Sequence, residues 1–149
     1  MSSAPVLLQP KDLASALKEL SVDDEAMCLS GGATLVALLN ANLIEPSQLV
    51  SLKNINELVG IALQPDESVK IGAMTRHAVT ASSDLLVGSL SGVRDAASKI
   101  ANPTVRNMGT IGGSIAFADP GADYPPALVA ANAEIEIVSQ RKARRIKAE

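Results

Sequence analysis

The stretch Thr110-Ile111-Gly112-Gly113-Ser114, with its counterpart Ser30-Gly31-Gly32-Ala33-Thr34, decides how this chain is interpreted. Each glycine pair is flanked by hydroxyl residues. Because glycine lacks a Cβ, its backbone adopts positive φ readily and lets a ligand approach closely. Successive N–H groups in such a turn can form a concave nest for an anion. Two nests could grip one diphosphate from two sides, although a single glycine pair more often marks only a tight turn.

The composition limits the classes of protein that this chain can represent. Its 149 residues are 47% hydrophobic, which suffices for one domain built of two subdomains. Phe117 and Tyr124 are its only Phe, Tyr or Trp residues, so base-stacking platforms are excluded and no nucleic acid partner is expected. The net charge is -3, and the basic run Arg141–Lys147 suggests either a solvated hairpin turn or a local contact with an acidic partner.

The chain also lacks the residue set of a metal or thiol site. Cys28 is the single cysteine and lies in an apolar run, so we expect a buried small hydrophobe in a reducing compartment, without disulfide, zinc site or iron–sulfur cluster. His77 is the single histidine and is expected to be structural, while Asp119 beside Pro120 suggests an Asx turn. No catalytic residue is predicted. The sequence shows neither a signal peptide nor an apolar stretch long enough to span a membrane, which predicts a cytoplasmic protein.

Hydrophobic periodicity and turn residues predict a mixture of helices and strands. Five helices are predicted: from after Pro10 to Leu20, over 35–39, from an N-cap at Thr75 to Leu86, over 93–101, and from Pro125 to Ala131. The predicted strands cover 27–29, 49–52, 59–63, 69–71, 133–137 and the segment from Arg145 onward.

This order of elements is neither a regular βαβ series nor all-β, and it predicts an α+β fold of two subdomains. We place the first subdomain at residues 1–56 and the second, incomplete at its C-terminus, at residues 57–149. Each subdomain carries one glycine turn, so a ligand would lie in the cleft between them. Neither a Gly-x-Gly-x-x-Gly fingerprint after a strand nor a Gly-x-x-x-x-Gly-Lys-Ser/Thr motif is present, so a Rossmann dinucleotide site and a P-loop are not expected.

Three collinear segments resemble the FAD-binding medium subunit of molybdenum hydroxylases, a family that includes the xanthine dehydrogenases and the aerobic carbon monoxide dehydrogenases. The segments are 29–35 (extended by 46–52), 71–75 and 100–127, of which the last holds the second glycine turn and is the most specific. The resemblance covers nearly the whole chain in the family's order. It implies the PCMH-type FAD-binding fold, with FAD extended in the cleft between two α+β subdomains.

The resemblance also assigns residues to the cofactor. It implies that both turns hold the FAD pyrophosphate through N–H groups and hydroxyls, and that a carboxylate accepts hydrogen bonds from the ribityl chain. The implied cofactor-binding residues are Ser30, Gly31, Gly32, Ala33, Thr34, Thr110, Gly112, Gly113, Ser114 and, for the ribityl chain, Asp123. The family often has Ala where Ser30 stands and usually Asn where Ser114 stands.

By the same resemblance, the chain would be an electron-transfer subunit of a molybdenum-dependent oxidoreductase. Electrons would arrive from 2Fe-2S centres on a small subunit, fed by the molybdopterin of a large subunit, and FAD would pass them to NAD, oxygen or another acceptor. Family medium subunits continue well beyond Arg145, so the chain resembles a C-terminally truncated member, and it is expected to be inactive when isolated. The alternative is a truncated, non-catalytic subunit or fragment that keeps the fold and partner contacts but binds flavin weakly or not at all.

Overall fold

The computed structural model describes residues 4–149 and confirms a mixed fold of helices and strands. The strands are β1 (Val6–Leu8), β2 (Met27–Leu29), β3 (Gln48–Ser51), β4 (Ile61–Leu63), β5 (Val69–Ile71), β6 (Glu134–Val138) and β7 (Ala143–Lys147). The helices are α1 (Leu13–Val22), α2 (Leu35–Asn40), α3 (His77–Ala81), α4 (Ser91–Lys99), α5 (Pro103–Met108), α6 (Ile111–Phe117) and α7 (Tyr124–Ala130), with short 3-10 turns at Asn56–Leu58 and Gly88–Leu90.

The N-terminal part is a parallel sheet with strand order β1-β3-β2, covered by α1. Helix α1 starts where the Asp12 carboxylate accepts a hydrogen bond from the Ser15 N–H at 2.7 Å. The central strand β3 supplies Val50, which is fully buried against Ala16 of α1 and against Ile55. Since β2 and β3 are parallel, the turn after Leu29 lies at the carboxyl edge of the sheet, where ligands of such sheets commonly bind.

The remaining part combines helices with two antiparallel hairpins, β4–β5 and β6–β7. Its core is built by residues that recur at helical spacing, such as Val93 and Ala97 of α4 and Tyr124 and Leu128 of α7. Leu86 and Ile111 complete the buried cluster. Helix α5 starts at an Asn102 side chain that accepts from the Val105 N–H at 3.0 Å.

The buried residues form two hydrophobic clusters that follow the order of the chain. The first is centred on Ala16, Val50 and Ile55 and extends to Leu58, and the second involves residues from Ile61 to Ala148. The separation of the clusters falls near the predicted subdomain boundary. The boundary itself, between residues 56 and 57, stays a prediction.

Some local predictions are wrong. Thr75 caps no helix, because its hydroxyl donates to the Gly60 carbonyl at 3.0 Å and accepts from the Gly60 N–H at 2.9 Å. The helix that follows is α3, which ends at Ala81 instead of Leu86. Cys28 is exposed and not buried, since β2 is an edge strand of its sheet. Strand β1 and helices α5 and α6 were not predicted, and α6 contains the second glycine turn.

Candidate functional site

The first glycine turn links β2 to α2 and leaves a run of backbone donors free. Gly32 adopts φ +79°, a conformation that residues with a Cβ rarely take. In this part of the described chain, the N–H groups of residues 31–35 make no hydrogen bond to another protein group. Donors of this kind are rarely left without a partner, so this turn is suited to an acceptor from outside the chain, such as a phosphate.

The second glycine turn is different, because its N–H groups are already used within the fold. Those of Ile111 and Gly112 donate to the carbonyls of Thr75 and Ala73 at 3.0 and 2.9 Å. The Gly113 N–H donates to the Thr110 hydroxyl at 3.2 Å, and the Ser114 N–H donates to the Thr110 carbonyl at 3.0 Å. The second turn is therefore the start of α6 with Thr110 as its N-cap. The expected open nest is not formed here, and the assignment of these residues to the cofactor stays a prediction.

Close backbone packing explains why both turns need glycine. A Cβ on Gly31 would lie 2.9 Å from the Cα of Gly109, just before the second turn. A Cβ on Gly112 would lie 2.6 Å from both the Cβ and the carbonyl oxygen of Ala73. Real Cβ atoms essentially never lie this close to other heavy atoms. The backbone around Gly109 thus packs on the first turn, and the backbone around Ala73 packs on the second. That both turns hold one cofactor stays a prediction.

Two hydroxyl groups join the turns directly. The Ser30 and Thr110 hydroxyl oxygens lie 2.7 Å apart, across 80 residues of sequence. The Ser30 hydroxyl also donates to the Met74 sulfur at 2.9 Å. Sequence reasoning noted the segment around Met74 without assigning that side chain a role. The only sequence feature of Met74 that pointed to the site was its position two residues after Gly72, within a segment that resembles the family.

Ser114 lies in α6 and Asp123 directly before α7. Asp123 is exposed at the start of α7 and caps no N–H group of that helix. Ser114 lines a surface cleft of about 270 Å³ together with Asp119, Pro120 and Leu128. Asp119 itself forms the predicted Asx turn, since its carboxylate accepts from the Gly121 N–H at 2.8 Å. Because Asp123 is exposed and caps no helix, its carboxylate oxygens can accept hydrogen bonds from a ligand.

His77 and Tyr124 form a buried pair behind the second turn. The His77 Nδ1 and the Tyr124 hydroxyl lie 3.0 Å apart, and a Cβ on Gly109 would lie 2.6 Å from the His77 Nε2. Burial lowers the pKa of His77 and raises the pKa of Tyr124 to about 12, so both groups are neutral at pH 7. The pair supports the backbone before Thr110, which agrees with a structural histidine.

Comparison with known proteins identifies the family. The model of the FAD binding domain in molybdopterin dehydrogenase matches residues 2–149, which is nearly the whole chain. The chain therefore belongs to this family of FAD-binding domains, whose members are subunits of molybdenum-dependent oxidoreductases.

Individual relatives agree with this assignment. The chain is 37% identical over 137 residues to the carbon monoxide dehydrogenase medium chain of Afipia carboxidovorans, covering 91% of this chain and 47% of that protein. It is 40% identical over 123 residues to the 6-hydroxypseudooxynicotine dehydrogenase complex subunit alpha of Paenarthrobacter nicotinovorans, covering 83% of this chain and 41% of that protein. The structure matches a chain of the carbon monoxide dehydrogenase of Hydrogenophaga pseudoflava with a TM-score of 0.93 and 33% identity, over 99% of this chain and 52% of that one.

These matches confirm the predicted family, the α+β FAD-binding fold and FAD as the family's cofactor. The chain spans about half the length of the relatives it matches. Over residues 4–149, no helix combines the length and apolarity needed to cross a membrane. The same residues bring together no cluster of His, Cys, Asp or Glu that could hold a metal ion.

Proposed function

We propose that this chain holds the pyrophosphate of FAD at its first glycine turn and takes part in electron transfer within a molybdenum hydroxylase complex. The observation that carries the proposal is the run of unused N–H groups at residues 31–35, at the carboxyl edge of a parallel sheet. A pyrophosphate offers anionic acceptors to such donors, and hydrogen bonds to charged groups are stronger than those between neutral groups. When bound, FAD supplies the redox chemistry, and the protein supplies its position and surroundings.

In this proposal, the second turn packs against the first turn and holds it in position. Thr110 fixes Ser30 through the hydroxyl contact, and Gly112 lets α6 pack closely on Ala73. The phosphate is accordingly held chiefly by backbone donors of the first turn, with Gly113 and Ser114 nearby. Asp123 is exposed and accepts hydrogen bonds from the ribityl hydroxyls, since a carboxylate has acceptors only.

The partners and the reaction follow from the relatives and are part of the same proposal. Proteins similar to this chain include medium chains of carbon monoxide dehydrogenases and an FAD-binding subunit of xanthine dehydrogenase from Escherichia coli O157:H7. We therefore propose a molybdopterin-bearing large subunit and a 2Fe-2S small subunit as partners. Electrons pass from the 2Fe-2S centres to FAD, and from there to NAD, oxygen or another acceptor. The protein works in the cytoplasm.

Flavin titration of the purified chain tests the proposed site. FAD and riboflavin share the ring and the ribityl chain, and only FAD carries the pyrophosphate. Hydrogen bonds to a charged group contribute about 1.5–3 kcal/mol each, so FAD is expected to bind at least about tenfold more tightly than riboflavin. Flavin fluorescence and equilibrium dialysis measure both affinities. Equal affinities would refute the pyrophosphate site.

A matched pair of glycine variants locates the site. Gly32 and Gly88 both have positive φ, at +79° and +58°, so alanine introduces backbone strain of about 1–2 kcal/mol at each position. At Gly32 the new Cβ would also lie 3.3 Å from Val36 Cγ2. Gly32→Ala distorts the run of free N–H groups and is expected to weaken FAD at least about tenfold. Gly88→Ala lies in a 3-10 turn with open space around it and is expected to leave FAD affinity unchanged. Equal FAD affinities for the two variants would remove the first turn from the site.

A further inference from the structure

Gly109, the residue just before the second turn, is in contact with both the first turn and the buried His77. A Cβ on Gly31 would overlap the Met108 carbonyl oxygen and would lie 2.9 Å from the Gly109 Cα. A Cβ on Gly109 would in turn lie 2.6 and 2.8 Å from the Nε2 and Cδ2 atoms of the His77 ring. Gly109 is therefore packed against Gly31, and beside His77 it has no room for a side chain.

The backbone conformation of Gly109 does not itself require glycine. Its φ of -64° and ψ of 151° are extended values that alanine adopts without strain. A Cβ is excluded chiefly by the His77 ring, and the Val105 carbonyl oxygen would lie 3.3 Å from it. The place of Gly109 is thus set by packing on His77, and alanine at this position probes that packing alone.

Two contacts hold the His77 ring in place. The His77 N–H donates to the Gly109 carbonyl at 3.0 Å, which fixes the backbone that carries the ring. The His77 Nδ1 lies 3.0 Å from the Tyr124 hydroxyl, and the two ring centroids are 5.4 Å apart. His77 is only 5% exposed and Tyr124 is fully buried, so the ring has little space into which it could move. Burial also lowers the pKa of His77, so the ring is neutral at pH 7 and acts on its neighbours by its shape.

We propose that His77 is a positioning residue for the ligand site: its ring, held by Tyr124, fixes Gly109 and thereby the place of Gly31, where the free N–H groups begin. The inference rests on the proposed binding of FAD at the first turn and assigns the buried pair a role in that binding. His77 acts through Gly109 and has no contact with the ligand. A displacement of Gly109 moves Gly31, and the N–H groups of residues 31–35 then converge less well on a phosphate.

Gly109→Ala tests whether the packing between His77 and Gly31 controls phosphate binding. The new Cβ meets the ring, so we expect FAD and ADP to bind about tenfold more weakly, as for one lost hydrogen bond to a charged group. Riboflavin, which has no phosphate, is expected to bind as it does to the unchanged chain. Gly92→Ala is the control, since its Cβ meets nothing within 4 Å, and it is expected to leave all three affinities unchanged. Calorimetry and flavin fluorescence measure the affinities.

Removal of the ring from the same variant distinguishes positioning from a general packing defect. In Gly109→Ala/His77→Ala the Cβ has room, so FAD is expected to bind about fivefold more tightly than to Gly109→Ala. Unchanged FAD affinity in Gly109→Ala would overturn the inference. So would an equal loss for riboflavin, which would indicate a damaged fold, or losses that simply add in the double variant.

A second measurement needs neither a ligand nor a disruptive substitution. Tyr124→Phe keeps the aromatic ring and removes only the hydroxyl that holds His77. In two-dimensional NMR spectra of the chain without ligand, the amide signals of Gly109 and Gly31 are expected to shift, while that of Leu7 in β1 stays in place. An unchanged Gly31 signal would contradict the proposed positioning. This result is decided even if the chain binds no diphosphate, whereas a failure of FAD and ADP to bind the unchanged chain would refute the proposed function.

Discussion

Gly112 and Gly92 offer a direct measure of how tightly the second turn is packed. Each is the second residue of a helix, α6 and α4 respectively, so replacement by alanine brings a similar helix-propensity gain of at most about 1 kcal/mol. The surroundings differ. A Cβ on Gly92 meets nothing within 4 Å, whereas a Cβ on Gly112 would lie 2.6 Å from the Ala73 Cβ and carbonyl oxygen. That carbonyl accepts the Gly112 N–H at 2.9 Å, so a shift of Ala73 would also weaken a hydrogen bond.

Overpacking of a close contact costs about 1–3 kcal/mol. We expect Gly92→Ala to leave the free energy of unfolding unchanged or raise it by up to about 1 kcal/mol, and Gly112→Ala to be less stable than Gly92→Ala by about 1–3 kcal/mol. Urea unfolding followed by circular dichroism measures this difference. In thermal unfolding it corresponds to about 3 °C for each kcal/mol in a chain of this size. Equal stability of the two variants would refute the backbone-to-backbone packing of the second turn on Ala73.

Two further predictions concern Asp123 and the buried pair of His77 and Tyr124. Asp123→Ala is expected to weaken FAD binding by about 1.5–3 kcal/mol and to leave ADP binding nearly unchanged, because ADP lacks the ribityl chain. Calorimetry measures both binding free energies. Equal losses for FAD and ADP would place Asp123 away from the ribityl chain. His77 is the only histidine, and burial lowers its pKa from 6.5, so the unfolded chain binds more protons than the folded chain below that pH. The free energy of unfolding is thus expected to be constant above pH 6.5 and to fall as the pH decreases below it. In His77→Gln the free energy of unfolding should depend less on pH in that range. The same pH dependence in both proteins would contradict a lowered pKa of His77 in the folded chain.

The sequence by itself determined the features that depend on neighbouring residues. The strands predicted at 59–63, 69–71 and 133–137 from the hydrophobic pattern are β4, β5 and β6 of the structure. The glycine pairs predicted both glycine turns. The family resemblance rested on the same short segments, and the comparisons confirmed it.

Only the tertiary structure decided which polar groups of the site are free. Both glycine turns look alike in sequence, yet the N–H of Gly112 is used by Ala73, while those of residues 31–35 are unused. The difference arises because the carbonyls of Thr75 and Ala73 accept N–H groups of the second turn, whereas the backbone packed on Gly31 accepts none from the first. No local pattern encodes these contacts. Cys28 gives a second example, since an apolar strand predicts burial and the position of β2 at the sheet edge leaves it exposed. The contact between Ser30 and Met74 is a third example, since the two residues are 44 positions apart in the chain and meet only after folding.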